Sequence, residues 1–137
     1  MIYQTSKCMK RIKSLSEKRL IIEGLVNDKP AYFLLDSGAS VALIDKDRKK
    51  EYGLKEGRRY NGTLIGAGGE MCNIRHCDTF VEFEGKKISQ FLLADISGVV
   101  KSIKKETGIE ILGIISLPQM SMIGLNLDIN SLEVWIE

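Results

Sequence analysis

Lys29-Pro30-Ala31-Tyr32-Phe33-Leu34-Leu35-Asp36-Ser37-Gly38-Ala39-Ser40 ends an apolar run on a carboxylate. Tyr32 to Leu35, bounded by Pro30 and Gly38, has the length and composition of a buried strand. Such a strand carries Asp36 into low dielectric, where an ionised carboxylate is costly unless it is paired or hydrogen-bonded. The residues that follow can lower that cost. Ser37 offers a hydroxyl, Gly38 allows a tight turn that brings backbone N–H groups near the carboxylate, and Ala39 keeps the surroundings uncrowded. Asp-Ser-Gly is also ordinary turn chemistry. The apolar stretch Val41-Ala42-Leu43-Ile44 on its far side favours a functional loop over a solvated turn.

Two other stretches stand out. Leu64-Ile65-Gly66-Ala67-Gly68-Gly69-Glu70-Met71 sets a glycine cluster between two strand-forming arms, which predicts a hairpin with a flexible tip. A phosphate-cradling loop needs a helix after the glycines, whereas here Asn73-Ile74-Arg75 leads into another strand. Ile111-Leu112-Gly113 is a second short apolar passage, read as a strand over Ile111 and Leu112 with Gly113 at a close backbone approach.

Phe33 to Ser40 resembles the active-site motif of retroviral-type (retropepsin-like) aspartic proteases, apolar-apolar-Asp-Thr/Ser-Gly-Ala. Residues 64–71 resemble that family's flap, and Ile111-Leu112-Gly113 its apolar-apolar-Gly motif before the C-terminal helix. The three matches fall in family order and span roughly residues 18 to 137, with features of a cellular or bacterial member. The resemblance implies a mostly β fold: a small closed β-barrel with a flap hairpin and one to three short helices. It further implies that Asp36 is catalytic, with Ser37, Gly38, Ala39 and Ser40 supporting the active-site loop. Ser37 stands at the family's Thr position, where the hydroxyl bonds across a two-fold axis. Ile65, Gly66, Ala67, Gly68 and Gly69 would form the substrate-covering flap, and Ile111, Leu112 and Gly113 would pack beside the Asp36 loop.

Peptide hydrolysis by this route uses two carboxylates that share a proton. Only one Asp-Ser/Thr-Gly occurs in the 137 residues, since Asp95-Ile96-Ser97-Gly98 interrupts the pattern. The second carboxylate is therefore expected from another copy, in a two-fold homodimer. The expected function is that of a homodimeric aspartic endopeptidase acting on polypeptides without a cofactor. The alternative is an inactive peptide-binding or dimerisation domain of the same fold.

Around these motifs, Arg19 to Leu35 reads as a hairpin turning at Asn27-Asp28, and Val41 to Ile44 as a short strand. A short surface helix is expected from Asp45, its N-cap, to Tyr52, stopped by Gly53. Asp78 to Phe83 and Lys87 to Ala94 form a second expected hairpin. Val99 to Gly108 is a short helix or a loop insertion, a turn of helix started by Ser116 and Pro118 follows Gly113, and Met120 to Ile136 gives terminal strands. Residues 1–17 show no clear periodicity and are read as an N-terminal arm ahead of a single domain, 18–137.

A net charge of +2, with both signs interspersed, indicates no nucleic-acid partner, and neither a signal peptide nor a membrane span is evident. Three cysteines, Cys8, Cys72 and Cys77, suggest no disulfide framework and fit a reducing, cytoplasmic compartment, with a trimmed export signal left open. Cys72, His76 and Cys77 lack a fourth ligand at zinc spacing, so no metal is expected.

Overall fold

The computed structural model describes residues 10–66 and 69–137. Cys8, Ala67 and Gly68 lie outside the described residues. In chain order the elements begin with β1 (Ile12–Lys13), β2 (Ile21–Val26), β3 (Lys29–Asp36) and β4 (Ala42–Asp45). A 3-10 turn, Lys46–Arg48, leads into α1 (Lys49–Tyr52), followed by β5 (Glu56–Arg59), β6 (Leu64–Gly66), β7 (Gly69–Met71) and β8 (Arg75–Cys77). Then come β9 (Val81–Phe83), β10 (Lys86–Ile88), β11 (Phe91–Ala94), α2 (Ser97–Thr107), β12 (Gly113–Ser116), α3 (Leu117–Met122), β13 (Leu125–Asp128) and β14 (Glu133–Ile136).

Nine strands form one sheet in the order β10-β9-β2-β3-β12-β4-β11-β8-β5. The β2–β3 hairpin forms as expected, because Asn27 and Asp28 supply the two positive-φ positions, 50° and 66°, of a tight two-residue turn. At the centre are two parallel pairs, β3 with β12 and β4 with β11, joined by the antiparallel β12–β4 contact. Parallel strands are covered on both faces, which explains why Phe91 to Ala94 and Gly113 to Ser116 are buried without alternation. Phe33 and Leu35 face one apolar cluster and Leu34 the other, as the two-residue period of a strand requires. The second cluster also receives Val100 and Ile103 from α2 and Ile74 at the root of the β6–β7 hairpin.

Several expectations are corrected. The fold is mostly β with few short helices, but no closed barrel is found: the terminal strands β10 and β5, whose edges carry Lys86, Lys87, Arg58 and Arg59, are not paired with each other among the described residues. The second hairpin stops at Ile88. Gln90 takes φ 68°, and the chain crosses from β9 to pair with β4 and β8. Ile12 and Lys13 form a strand on β14, held by a partner more than a hundred residues away that local periodicity does not reveal. Met120 belongs to α3, not to a strand, because the helix turn expected after Ser116, with Pro118 in its first turn, runs on to Met122. Val99 to Gly108 resolves to a helix, with Gly108 at φ 80° ending it. The helix after Asp45 is split, with the Asp45 carboxylate accepting from the Asp47 N–H at 3.1 Å.

Candidate active site

β3 delivers Asp36 to the end of the sheet's central parallel pair. Its Cα partner is Ser116, the last residue of β12. One carboxylate oxygen, Oδ1, accepts the Gly38 N–H at 3.0 Å, and the Asp36 carbonyl accepts the Ala39 N–H at 3.1 Å. These bonds close the turn that Asp-Ser-Gly predicts, and they hold the carboxylate by a backbone donor. Asp36 is half-buried, not fully enclosed, and Ser37, Gly38 and Ser40 are exposed while Ala39 is half-buried. The low-dielectric setting expected from the apolar run is thus incomplete in a single chain, because the strand ends at Asp36 and the loop emerges at the surface.

A cavity of about 300 Å³ opens beside the carboxylate. Its apolar wall is Leu20, Leu34, Leu35 and Leu132, and its rim includes Lys18 and Arg19. The rim is tied down: Arg19 Nε donates to Glu106 Oε1 at 2.7 Å and Lys18 Nζ to the Glu106 carbonyl at 3.2 Å, both near the C-terminal end of α2. The Ser14 hydroxyl accepts the Ile21 N–H at 3.1 Å and so folds the preceding segment against β2. An aliphatic pocket next to a carboxylate, with Glu17, Lys18 and Arg19 at its rim, can receive an apolar side chain of an extended ligand.

The glycine-rich stretch forms the expected hairpin, with Leu64 opposite Met71, Ile65 opposite Glu70 and Gly66 opposite Gly69. Ile65 is 80% exposed and Gly69 sits at φ 109°. Ala67 and Gly68, expected at the tip, lie outside the described residues. Leu64 and Met71 pack on the same apolar cluster as Leu34 and Ile114, which roots the hairpin over the face of the sheet that Leu34 presents.

Ile111 and Leu112 are fully buried, one in each cluster, but they precede β12 instead of forming it. Gly113 opposes Phe33 and Ile44, and a Cβ there would collide with the Leu43 carbonyl oxygen. Gly113 therefore fills the close-approach role read from the sequence, three residues short of the Asp36 register. Ser116 takes the position beside Asp36. Its spacing to Gln119 is that of a helix capping box, a signal present in the sequence. Lys18, Arg19 and Glu106 carried no local signal, since their association spans 87 or more residues.

Other chemistry-bearing groups lie apart from Asp36. His76 packs edge-on against Tyr60, ring centroids 5.8 Å apart, beside a cavity of about 630 Å³ that Arg58, Phe80 and Gln90 also line. Cys72 is exposed, while burial pushes the Cys77 thiol up. Asp45, Asp47 and Asp95 bring carboxylate oxygens within 4.8 Å of one another at the opposite end of β4 from the Asp36 loop. Their donor set suits a hard cation, yet Asp45 and Asp95 already accept from the Asp47 and Ser97 N–H groups. Among the described residues, no helix is long and apolar enough to cross a membrane.

A family model described as aspartyl protease matches residues 22–113. No curated protein matches the chain. Among solved structures, the chain is similar to EIAV protease complexed with the inhibitor HBY-793, at 24% identity and TM-score 0.59, covering 82% of this chain and 94% of that one. It is similar to a retropepsin-like aspartic protease from Rickettsia conorii at 18% identity and TM-score 0.56, covering 98% and 96%. It is also similar to the retroviral protease-like domain of Ddi1 from Leishmania major at 19% identity and TM-score 0.55, covering 87% and 94%. At these identities the likeness establishes the fold, which is retropepsin-like.

Proposed function

Because the chain belongs to the aspartyl protease family, we propose that it is an aspartic endopeptidase that works as a homodimer, with Asp36 of each copy forming the catalytic pair. The observation that carries this proposal is the Asp36 turn. A carboxylate stands at the end of the central strand pair, fixed by the Gly38 N–H, half-buried in one chain and bordered by an apolar pocket. A second copy facing this loop supplies the missing carboxylate and completes its burial.

The chemistry follows from the pair. Two carboxyls at close range do not both ionise, so one holds a proton that its neighbour lacks. The ionised Asp36 takes a proton from a water as the water oxygen attacks the scissile carbonyl carbon. The protonated Asp36 of the other copy gives its proton to the carbonyl oxygen. The resulting gem-diol collapses as the C–N bond breaks: the Asp36 that took the water's proton passes it to the leaving amine nitrogen, and a diol hydroxyl returns a proton to the other Asp36. Ser37, exposed in the single chain, would bond across the two-fold axis, and the β6–β7 hairpin with Ile65 would cover an extended peptide through strand pairing. Gly38, Ala39 and Ser40 shape the loop, and no cofactor enters any step.

Wild type and Asp36→Asn are compared on a diverse peptide mixture from mildly acidic to neutral pH, over a range of protein concentrations and with a statine-type inhibitor. Wild-type cleavage is expected to drop by about a thousandfold or more in the variant, because the substitution replaces both carboxylates of the pair, one in each copy. It is also expected to fall steeply on dilution. A folded dimer that cleaves nothing would favour a peptide-binding or dimerisation domain instead.

A further inference from the structure

Ser116-Leu117-Pro118-Gln119 has capping-box spacing, yet the Ser116 side chain makes no cap bond to the backbone of α3. The two side chains bond each other: the Ser116 hydroxyl donates to Gln119 Oε1. The opposite end of the same amide, Nε2, donates to the Gln90 carbonyl oxygen at 3.1 Å. Both side chains are buried, Ser116 at 0% and Gln119 at 4% exposure. One partner uses the acceptor of the amide and the other its donor, which fixes the orientation of the group. The far anchor, Gln90, is held at φ 68° where the chain passes from β10 to β11, a conformation uncommon for a non-glycine residue.

The near end of this polar chain lies against the Asp36 loop. Ser116 is the Cα partner of Asp36, and the Leu117 N–H donates to the Ala39 carbonyl oxygen at 3.3 Å. The backbone at the β12–α3 junction therefore flanks the Asp36 turn at both ends, and Gln119 ties that junction to the β10–β11 connection at Gln90. We propose that Gln119 is a positioning residue for the Asp36 loop, acting through Ser116 and Leu117 and anchored on the Gln90 carbonyl. Its bearing on catalysis rests on Asp36 being the reacting carboxylate. A bidirectional amide suits the task because a buried network with one end removed leaves the other groups unpaired, so the junction has one well-defined arrangement. A displaced loop would move the carboxylate without removing it, and catalytic rates are sensitive to shifts of that kind.

Amide hydrogen exchange of Gly38, Ala39 and Leu117 tests this without requiring activity. Gln119→Met keeps the side-chain length and removes both donor and acceptor. Val81→Ala, in the buried core on β9, is the control for a general loss of stability. Protection of the three amides is expected to fall about tenfold in Gln119→Met and to stay at the wild-type level in Val81→Ala, at equal loss of thermal stability. Gln119→Glu supplies the second arm. The ionised carboxylate cannot donate to the Gln90 carbonyl, whereas the protonated acid can, so protection lost at neutral pH is expected to return on acidification. On a cleaved peptide, kcat per inhibitor-titrated site would fall about tenfold in Gln119→Met with KM nearly unchanged. The proposal is overturned if protection falls equally in Gln119→Met and Val81→Ala, or, should Gln119→Met not fold, if acidified Gln119→Glu does not recover. The expected exchange pattern in a chain that cleaves nothing would support the tether and remove the protease function instead.

Discussion

Asp45 shows how a single carboxylate couples this fold to pH. It is 4% exposed, and burial pushes its carboxyl above the ordinary 3.8. The Asp47 N–H opposes that push, the Asp47 and Asp95 carboxylates add to it, and Arg48 opposes it. A raised value in the folded state means that the native chain binds this proton more tightly than the unfolded chain does. Stability linked to Asp45 is therefore greatest in acid and is lost as pH rises from 3.8 through the raised value. Asp45→Asn removes the charge and keeps a side-chain oxygen for the Asp47 N–H, since Asn caps as well as Asp. Thermal melts should show the variant at least as stable as wild type at neutral pH, and the difference should shrink as pH falls below 3.8. A difference that grows in acid would mean that the carboxylate form is the one the fold prefers.

Among elements, the hairpins separate what the sequence reveals from what it conceals. The β2–β3 hairpin was legible because its signals are local: a β-rich run, the Asn27-Asp28 turn and the apolar residues up to Leu35. The Asp36 turn was legible for the same reason. The register of β12 was not, because Ile111-Leu112-Gly113-Ile114-Ile115-Ser116 places two apolar pairs, each followed by a small residue, three positions apart. Only contacts with Phe33, Leu43 and Ile44 decide between them. The same holds for β1 and for the Gln119 tether, whose partners are distant in sequence.

The β6–β7 hairpin carries the prediction proper to this scale. Ile65, 80% exposed on a two-stranded sheet of its own, contributes little to the folded chain, where singly exposed apolar residues are unremarkable. If the hairpin closes over a peptide, that side chain is buried only with substrate present. Ile65→Ala should leave denaturation midpoints within about 0.5 kcal/mol of wild type. It should raise KM several-fold on a cleaved peptide, about the effect of losing part of one buried apolar side chain. A variant with unchanged KM would remove Ile65 from the substrate-covering role.

At the scale of the whole molecule, one group of exposed apolar residues follows the site in the chain. α3 begins at the residue after Ser116, and it leaves Leu117 and Met122 53% and 60% exposed. The adjoining β13 and the turn after it add Leu127 and Ile129 at 39% and 65%. Among the described residues β13 is also an edge of the β1-β14-β13 sheet, with no strand paired on its outer side. The half-buried Asp36 pairs with Ser116 directly before α3, whose exposed Leu117 and Met122 offer apolar surface to a second copy. A second copy covering it would bring the two Asp36 loops together. Met122→Glu tests that arrangement without touching the reacting groups, since the side chain is already outside the core and the monomer fold should tolerate it. Sedimentation equilibrium should show the dimer dissociation constant raised at least about tenfold, the effect of roughly 1.4 kcal/mol. Cleavage should be lost at low protein concentration and regained at high concentration, because dimers that still form present the same pair of carboxylates. A dimer of unchanged affinity would place the interface on another face, and activity that fails to return at high concentration would mean Met122 acts on the site itself.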